Sequence, residues 1–183
     1  MHNYPLPRQS WLVPGCLLLA LLLSACGDST GSGNTPQPVQ PTPTATPTPA
    51  PQRNKVGQVV KIGQWEVTVN SIKSSQGGNG VSTDADKQFV IINVTLHNTG
   101  STALQVSSQG NFTLKQSDGT KAQDASFANT LLNIAPAPDG TVAGGDKLKG
   151  DLLFAALKTE KALTLLFSPE SGSTEQAIWD LSL

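Results

Sequence analysis

Apolar and polar residues alternate with a period of two through most of residues 55–183. The alternation is clearest at residues 65–70, which begin with Trp65, and at residues 90–97, which begin with Val90. Because successive side chains of a β-strand point to opposite faces, this period predicts strands with one buried face. The same pattern predicts further strands at residues 56–62, 104–106, 112–114, 148–156, 163–167 and 177–183.

These predicted strands are short, and turn-forming Gly, Asn and Asp residues separate them. No stretch of about 12 residues carries a sustained helical period. Residues 127–134 fit either a strand or a helical turn. About seven to nine strands of this kind predict an all-β fold, an immunoglobulin-like antiparallel β-sandwich with one face of each sheet in water.

Two connections of the predicted domain, residues 74–87 and 135–147, are longer than a compact sandwich requires. Long loops often carry function. The first loop contains Asn79 and Asp84, and the strand after it places Phe89 and Ile91 on the face opposite Val90. We take these four residues, Asn79, Asp84, Phe89 and Ile91, as a candidate binding surface. Phe89 and Ile91 are expected either to form an exposed apolar patch or to meet a second layer.

The amino terminus has the pattern of a secretory signal peptide. Arg8 precedes residues 11–25, which are uncharged and mostly apolar. This apolar run is shorter than the roughly 20 residues that span a bilayer. A cationic start, a short apolar run and small residues at its end predict a signal peptide over residues 1–25. An uncleaved signal anchor is the alternative.

The end of this segment, Leu23-Ser24-Ala25-Cys26, resembles the lipobox of bacterial lipoproteins. The small side chains of Ser24 and Ala25 let a peptidase reach the bond before Cys26. The resemblance implies a diacylglyceryl group on the Cys26 thiol, and often an acyl chain such as palmitate on the freed amine. Two or three chains are enough for stable anchoring, at about 0.8 kcal/mol per buried methylene. Through Cys26 we therefore expect attachment to the extracytoplasmic side of the cell membrane.

Residues 26–54 are predicted to be the lipidated cysteine followed by a tether. Seven prolines fall within residues 36–51, interleaved with threonine. Closely spaced proline favours an extended polyproline II chain, which rises about 3.1 Å per residue. The tether therefore reaches at most about 90 Å and holds the domain of residues 55–183 away from the bilayer.

Charge and composition exclude several classes of function. The chain has 12 basic and 13 acidic side chains, a net charge of −1, which argues against a nucleic-acid binder that neutralises phosphates. Residues 27–183 contain no Cys, no Met and a single histidine, His97, so neither a zinc nor a copper site can be assembled within the chain. His97 shares a strand face with polar Asn93 and Thr95, which predicts a solvated side chain. We therefore expect no cofactor and no enzymatic activity.

Oxygen ligands for calcium are the one metal chemistry that the sequence leaves open. Asp84 and Asp86 lie in one loop, whereas Asp139 and Asp146 lie in another. Calcium tolerates irregular geometry but requires six to eight oxygen ligands. Lys87 follows Asp86 directly and weakens that site, so Asp84 and Asp86 are weak candidates.

Four segments of the domain occur in a recognisable order: residues 56–69, residues 87–100 with their Asn-Thr-Gly turn, residues 111–119, and residues 145–154 with Gly-x-Leu-x-Phe. In this order they resemble the opening, the central strand, the next hairpin and a later strand of a bacterial family of telokin-like, immunoglobulin-fold domains of unknown function. The two long loops depart from the pattern. The resemblance implies an extracytoplasmic lipoprotein and brings no catalytic residues.

Two functions remain open from the sequence. The domain is expected to be a non-catalytic binding module whose loops or sheet face meet an envelope or extracellular protein. The alternative is a structural spacer or accessory domain of an envelope assembly. A contiguous apolar patch beside ordered loops favours the first, and a uniformly polar surface favours the second.

Overall fold

The computed structural model of this protein describes residues 51–170 and 172–183. The predicted signal peptide, the lipobox, Cys26 and most of the tether lie outside the described residues. Within the described ranges, no helix combines the length and the apolar character needed to cross a membrane.

The described part of the chain is built almost entirely from strands. Nine strands have three or more residues and four have two, and the only helices there are the short Ser108–Asn111 (α1) and a 3-10 turn at Ser126–Ala128. The strands are Arg53–Asn54 (β1), Val59–Ile62 (β2), Trp65–Ser75 (β3), Gly77–Gly78 (β4), Val81–Ser82 (β5), Lys87–Asn98 (β6), Leu104–Val106 (β7), Phe112–Lys115 (β8), Gln123–Asp124 (β9), Gly140–Val142 (β10), Lys147–Leu157 (β11), Ala162–Phe167 (β12) and Ala177–Ser182 (β13).

Two main sheets carry the fold. One has five strands in the order β2-β3-β6-β11-β9, and the other has four in the order β1-β13-β12-β8. Pairing in both is antiparallel except between β1 and β13. The pairs β4–β5 and β7–β10 form two small sheets. The predicted all-β sandwich is confirmed.

The core lies between the two main sheets, where the period of two places it. Trp65 of the five-stranded sheet meets Phe167 of the four-stranded sheet edge to face, with ring centroids 6.3 Å apart. Trp179 is 0 % exposed in the same cluster. The apolar rows recognised in the sequence therefore form the inner faces.

Both predicted long loops contain strands, which the sequence pattern does not indicate. In the first, β4 and β5 form a hairpin whose two-residue turn is Asn79-Gly80, with φ of 51° and 81°. Asn-Gly is the preferred pair for such a turn because both positions need positive φ. In the second, β10 pairs with β7. At the start of the domain, Arg53 and Asn54, which we assigned to the tether, pair with β13.

Residues 125–134, here called the cap, form the 3-10 turn and further turns rather than a strand. The cap covers half of the outer face of the five-stranded sheet. There Phe89 and Leu153 are buried against Ala125 and Ala128 in a second, smaller apolar cluster. Of the two alternatives for Phe89, the second layer is correct and the exposed patch is wrong, since Phe89 is 2 % exposed.

Candidate functional site

The cap is held on the sheet by hydrogen bonds to strand β11. The backbone amide of Ala125 donates to the carbonyl of Leu153 at 2.9 Å. The side-chain amide of Asn129 donates to the carbonyls of Asp151 and Ala135, each at 2.9 Å. Asn129 itself is buried. Because these bonds lie at the start and in the middle of the segment, the cap is a fixed part of the fold.

After the cap the chain crosses the edge of β11 at Gly150. The carbonyl of Pro136 accepts from the amide of Asp151 at 3.1 Å. A Cβ atom at position 150 would lie 2.5 Å from the Pro136 oxygen and 2.7 Å from the Pro138 nitrogen. The glycine of the Gly-x-Leu-x-Phe segment therefore makes room for the crossing chain.

Two side chains of the cap point away from the sheet. Phe127 is 78 % exposed and Leu131 is 50 % exposed, although both lie on the hydrogen-bonded cap. Phe127 stands between two cavities of about 490 and 180 Å³. Core residues Phe112 and Phe154 line the larger one, which opens between the two main sheets. The result is an apolar projection with a recess on either side.

The smaller cavity brings together two residues of the candidate binding surface. Asp84 and Phe89 both line it, along with Thr83, Lys87 and Phe127. Phe89 forms part of its inner wall as a buried side chain, whereas Asp84 is exposed. Phe127 takes the exposed aromatic position that the sequence pattern suggested for Phe89.

Asp84 forms an ion pair with Lys87, which balances the negative charge of the Asp84 carboxylate. The Lys87 ammonium lies 2.7 Å from the Asp84 carboxylate. This hydrogen bond and the charge of Lys87 hold the pKa of the Asp84 carboxyl below its usual range, and the same contact raises the pKa of Lys87. Within residues 51–170 and 172–183, no three His, Cys, Asp or Glu side chains are grouped as metal ligands would be. Asp84 and Asp86 therefore gain no further ligands in the described structure.

The other two candidate residues support the cap. The side-chain amide of Asn79, at the tip of the β4–β5 hairpin, donates to the Leu131 carbonyl at 2.8 Å. Ile91 lies on the outer face, partly buried under the cap residues Leu132 and Ile134. Both residues position the cap rather than form its exposed surface.

His97 lies on the predicted polar face but is half-buried rather than fully solvated. Its Nδ1 atom is 3.0 Å from a Glu66 carboxylate oxygen on the neighbouring strand. Among the described residues, its ring has no hydrogen bond to a Ser or Thr hydroxyl. This arrangement offers no activated nucleophile.

A groove of about 700 Å³ lies at one end of the sandwich, beside Trp65, Asn111 and Glu170. The Asn111 amide is occupied, because it donates to the carbonyls of Ser168 and Pro169. Among the residues that the structure describes, no basic side chain lines this groove. The cap, by contrast, combines an exposed aromatic side chain with recesses on both sides, and we take it as the candidate functional site.

Sequence reasoning missed Phe127, Leu131 and Asn129. The available signal was weak, since residues 125–134 mix small, polar and apolar residues without a clear period. An isolated Phe within a polar segment is compatible with burial or exposure. Only the packing of Ala128 and Leu132 against the sheet turns Phe127 outward.

Comparison with solved structures shows the same fold in bacterial proteins. ycdA of Bacillus subtilis, a proposed lipoprotein, has a TM-score of 0.55 and 22% identity, covering 71% of this chain and 39% of that chain. yjhA of Bacillus subtilis has a TM-score of 0.56 and 22% identity, and the match covers 70% of this chain and 99% of that chain. A conserved hypothetical protein of Bacillus anthracis has a TM-score of 0.50 and 10% identity, and the match covers 68% of this chain and 93% of that chain.

A search of curated proteins found no match to the sequence. A family match, by contrast, spans nearly the whole sandwich, from the end of β1 to the start of β13. Residues 54–178 match DUF4352, a domain of unknown function, and the chain belongs to this family.

Proposed function

We propose that this protein is an extracytoplasmic lipoprotein whose sandwich is a non-catalytic module that binds an envelope or extracellular protein through the cap. The Leu23-Ser24-Ala25-Cys26 motif after a short apolar run supports removal of a signal peptide and lipid attachment at Cys26. Likeness of fold to ycdA of Bacillus subtilis agrees with that location. The telokin-like character suggested by residues 56–69 and 87–100 belongs to the same proposal.

The exposure of Phe127 on a fixed segment carries the binding role. Aromatic residues dominate the energetics of many protein interfaces, above all where a side chain enters a recess of the partner or is flanked by one. The cap is already ordered by its bonds to β11, so binding would cost little additional conformational entropy. Leu131 extends the apolar surface along the same segment.

The proposed role is non-catalytic because the sequence offers few side chains that act as a base or a nucleophile. Residues 27–183 contain one histidine and no cysteine. That histidine, His97, is engaged with Glu66. A general base with a neighbouring nucleophile, as acyl transfer requires, is therefore not part of the proposed role.

The experiment replaces Phe127 by a photocrosslinking amino acid in cells that produce the full chain. The matched control places the same amino acid at Val56, which is also exposed and apolar but lies outside the cap. We expect a discrete protein adduct from position 127 and none from position 56. The purified partner should bind Phe127→Ala about tenfold more weakly or worse, with an unchanged melting temperature.

Two results would contradict this role. If neither position gives an adduct, the domain acts as the spacer of the alternative interpretation. If both positions give the same adduct, the partner does not recognise the cap.

A further inference from the structure

The uncovered half of the outer face carries four exposed lysine side chains, Lys61, Lys73, Lys147 and Lys149, here called the lysine face. Strand register places Lys61 and Lys147 at the two ends of one row, with Glu66 and His97 between them. Neighbouring strands lie about 4.8 Å apart, so this row spans about 14 Å. Lys149 follows Lys147 on the same face about 7 Å along the strand.

The four ammonium groups are free of ion pairs. Among the described residues, none of them lies within 4.0 Å of a carboxylate oxygen. Of the two carboxylates on this part of the sheet, Glu66 is engaged with His97. Asp151 accepts hydrogen bonds from the Asn93 side chain at 2.5 Å and from the backbone amide of Ala135 at 2.9 Å. Four lysines therefore share this face with two carboxylates, and because these hydrogen bonds leave the carboxylates charged, the positive groups exceed the negative ones by two.

A cavity of about 240 Å³ lies where the lysine face meets the cap. Lys73 and Lys149 line it beside Ser71, with an apolar floor and wall from Ile91 and Ile134. The hydrogen-bonded side chains of Asn93 and Asp151 line it too, so the cavity holds one carboxylate beside the two lysines. Lysine is a common ligand for phosphate because its ammonium is a compact charge with three donors. The two lysine ammonium groups beside Ser71 can hold one anionic group in the cavity. Lys147 can then bind a second anionic group of the same ligand.

We infer that the lysine face binds a linear phosphate polymer that lacks bases, with one phosphate group seated between Lys73 and Lys149. The cap lies beside this face and its Ile134 forms one wall of the cavity, so the cavity fits a single chain better than a flat bilayer. Within residues 51–170 and 172–183, no Phe, Tyr or Trp side chain is exposed on the uncovered half, so these residues offer no platform there for stacking of nucleic-acid bases. This inference uses residues outside the cap surface and does not depend on the proposed protein partner.

The test measures binding of the full chain, purified in a neutral detergent, to long-chain inorganic polyphosphate. The variant Lys73→Gln/Lys149→Gln should bind about tenfold more weakly, and its dependence on salt should be lower by about two released counterions. The matched control Lys115→Gln/Lys121→Gln removes the same charge from the β8 edge and should bind like the unmodified chain. If the first variant does not fold, Lys61→Gln/Lys147→Gln removes two positive charges from the same face and should also weaken polyphosphate binding.

Three outcomes would overturn the inference. The first is an absence of polyphosphate binding by the unmodified chain. The second is an equal loss in the variants of the lysine face and of the β8 edge, which would mean attraction by overall charge. The third is a preference for another anion: vesicles of phosphatidylglycerol or single-stranded DNA bound more tightly than polyphosphate through Lys73 and Lys149.

Discussion

The side-chain amide of Asn129 donates a hydrogen bond to the backbone carbonyl of Asp151, at 2.9 Å. This bond joins the cap to Asp151 of β11, whose side-chain carboxylate also accepts a hydrogen bond from Asn93. It decides which apolar residues are covered, because the cap must be in place for Phe89 to be buried. The same bond leaves Phe127 on the outer side of the cap.

Replacing Asn129 by Ala should loosen the cap. The carbonyls of Ala135 and Asp151 would lose their side-chain donor, and two part-buried hydrogen bonds at about 0.5–1.5 kcal/mol each make a loss of about 1–3 kcal/mol. Denaturant unfolding measures the loss, and hydrogen exchange should speed up at the amides of Leu132 and Ile134. Thr130→Ala changes an exposed neighbour and should stay within about 0.5 kcal/mol. Equal effects of the two substitutions would show that the side chain of Asn129 does not hold the cap.

Gly150→Ala should destabilise the domain by about 1–3 kcal/mol, because the new methyl group would overlap the backbone of Pro136. Gly78→Ala is the matched control, since a Cβ atom there meets nothing within 4 Å. Thermal unfolding of both variants gives the comparison. A stability of Gly150→Ala equal to that of the control would mean that the crossing chain yields easily.

Trp179→Ala and Trp65→Ala should each cost about 3–5 kcal/mol, because both side chains are buried between the main sheets. Phe127→Ala removes an equally aromatic but exposed side chain and should change the free energy of unfolding by about 0.5 kcal/mol or less. Chemical denaturation of the three variants separates core from surface. A loss below about 1 kcal/mol for either tryptophan would place it outside the core.

Lys87→Gln should return the pKa of the Asp84 carboxyl toward its ordinary value of 3.8. The folded pKa lies below the unfolded one, so the pair stabilises the fold above the ordinary pKa. That contribution is lost as pH falls through the folded pKa. Carboxyl carbon titration by NMR measures the shift. Asp118 is the internal control, because Thr120 lowers its pKa and Lys87 plays no part. An unmoved Asp84 pKa would contradict the ion pair in solution.

Cys26→Ser should move the protein from the detergent phase to the aqueous phase of a phase-separation assay. The serine hydroxyl does not accept the diacylglyceryl group, so the anchor is lost. Cys16→Ser, within the predicted signal peptide, should leave the partition unchanged. A Cys26→Ser protein that stays with the membrane would support the uncleaved signal anchor.

The local pattern was sufficient for the longer strands and the inner core. Trp65, Val90 and Trp179 each belong to a run in which apolar and polar residues alternate, and all three are buried. This works because the alternation of side chains along a strand is a local property of the backbone. The Asn79-Gly80 turn is also local, since both residues tolerate positive φ, although the period of two gives no sign of the strands on either side of it. The amino-terminal motif at Cys26 is also local, and it stays a prediction.

Packing across distant segments decided the surface. A period of two assigns Phe89 to the outer face but does not say that residues 125–134 will cover it. The net charge of −1 conceals the lysine face, because Lys61, Lys73 and Lys147 are brought together only by the register of β2, β3, β6 and β11. Sequence alone thus determined which residues form the longer strands and which of their rows face inward. Only long-range contacts determined which outer residues meet solvent, since exposure depends on what packs above a face.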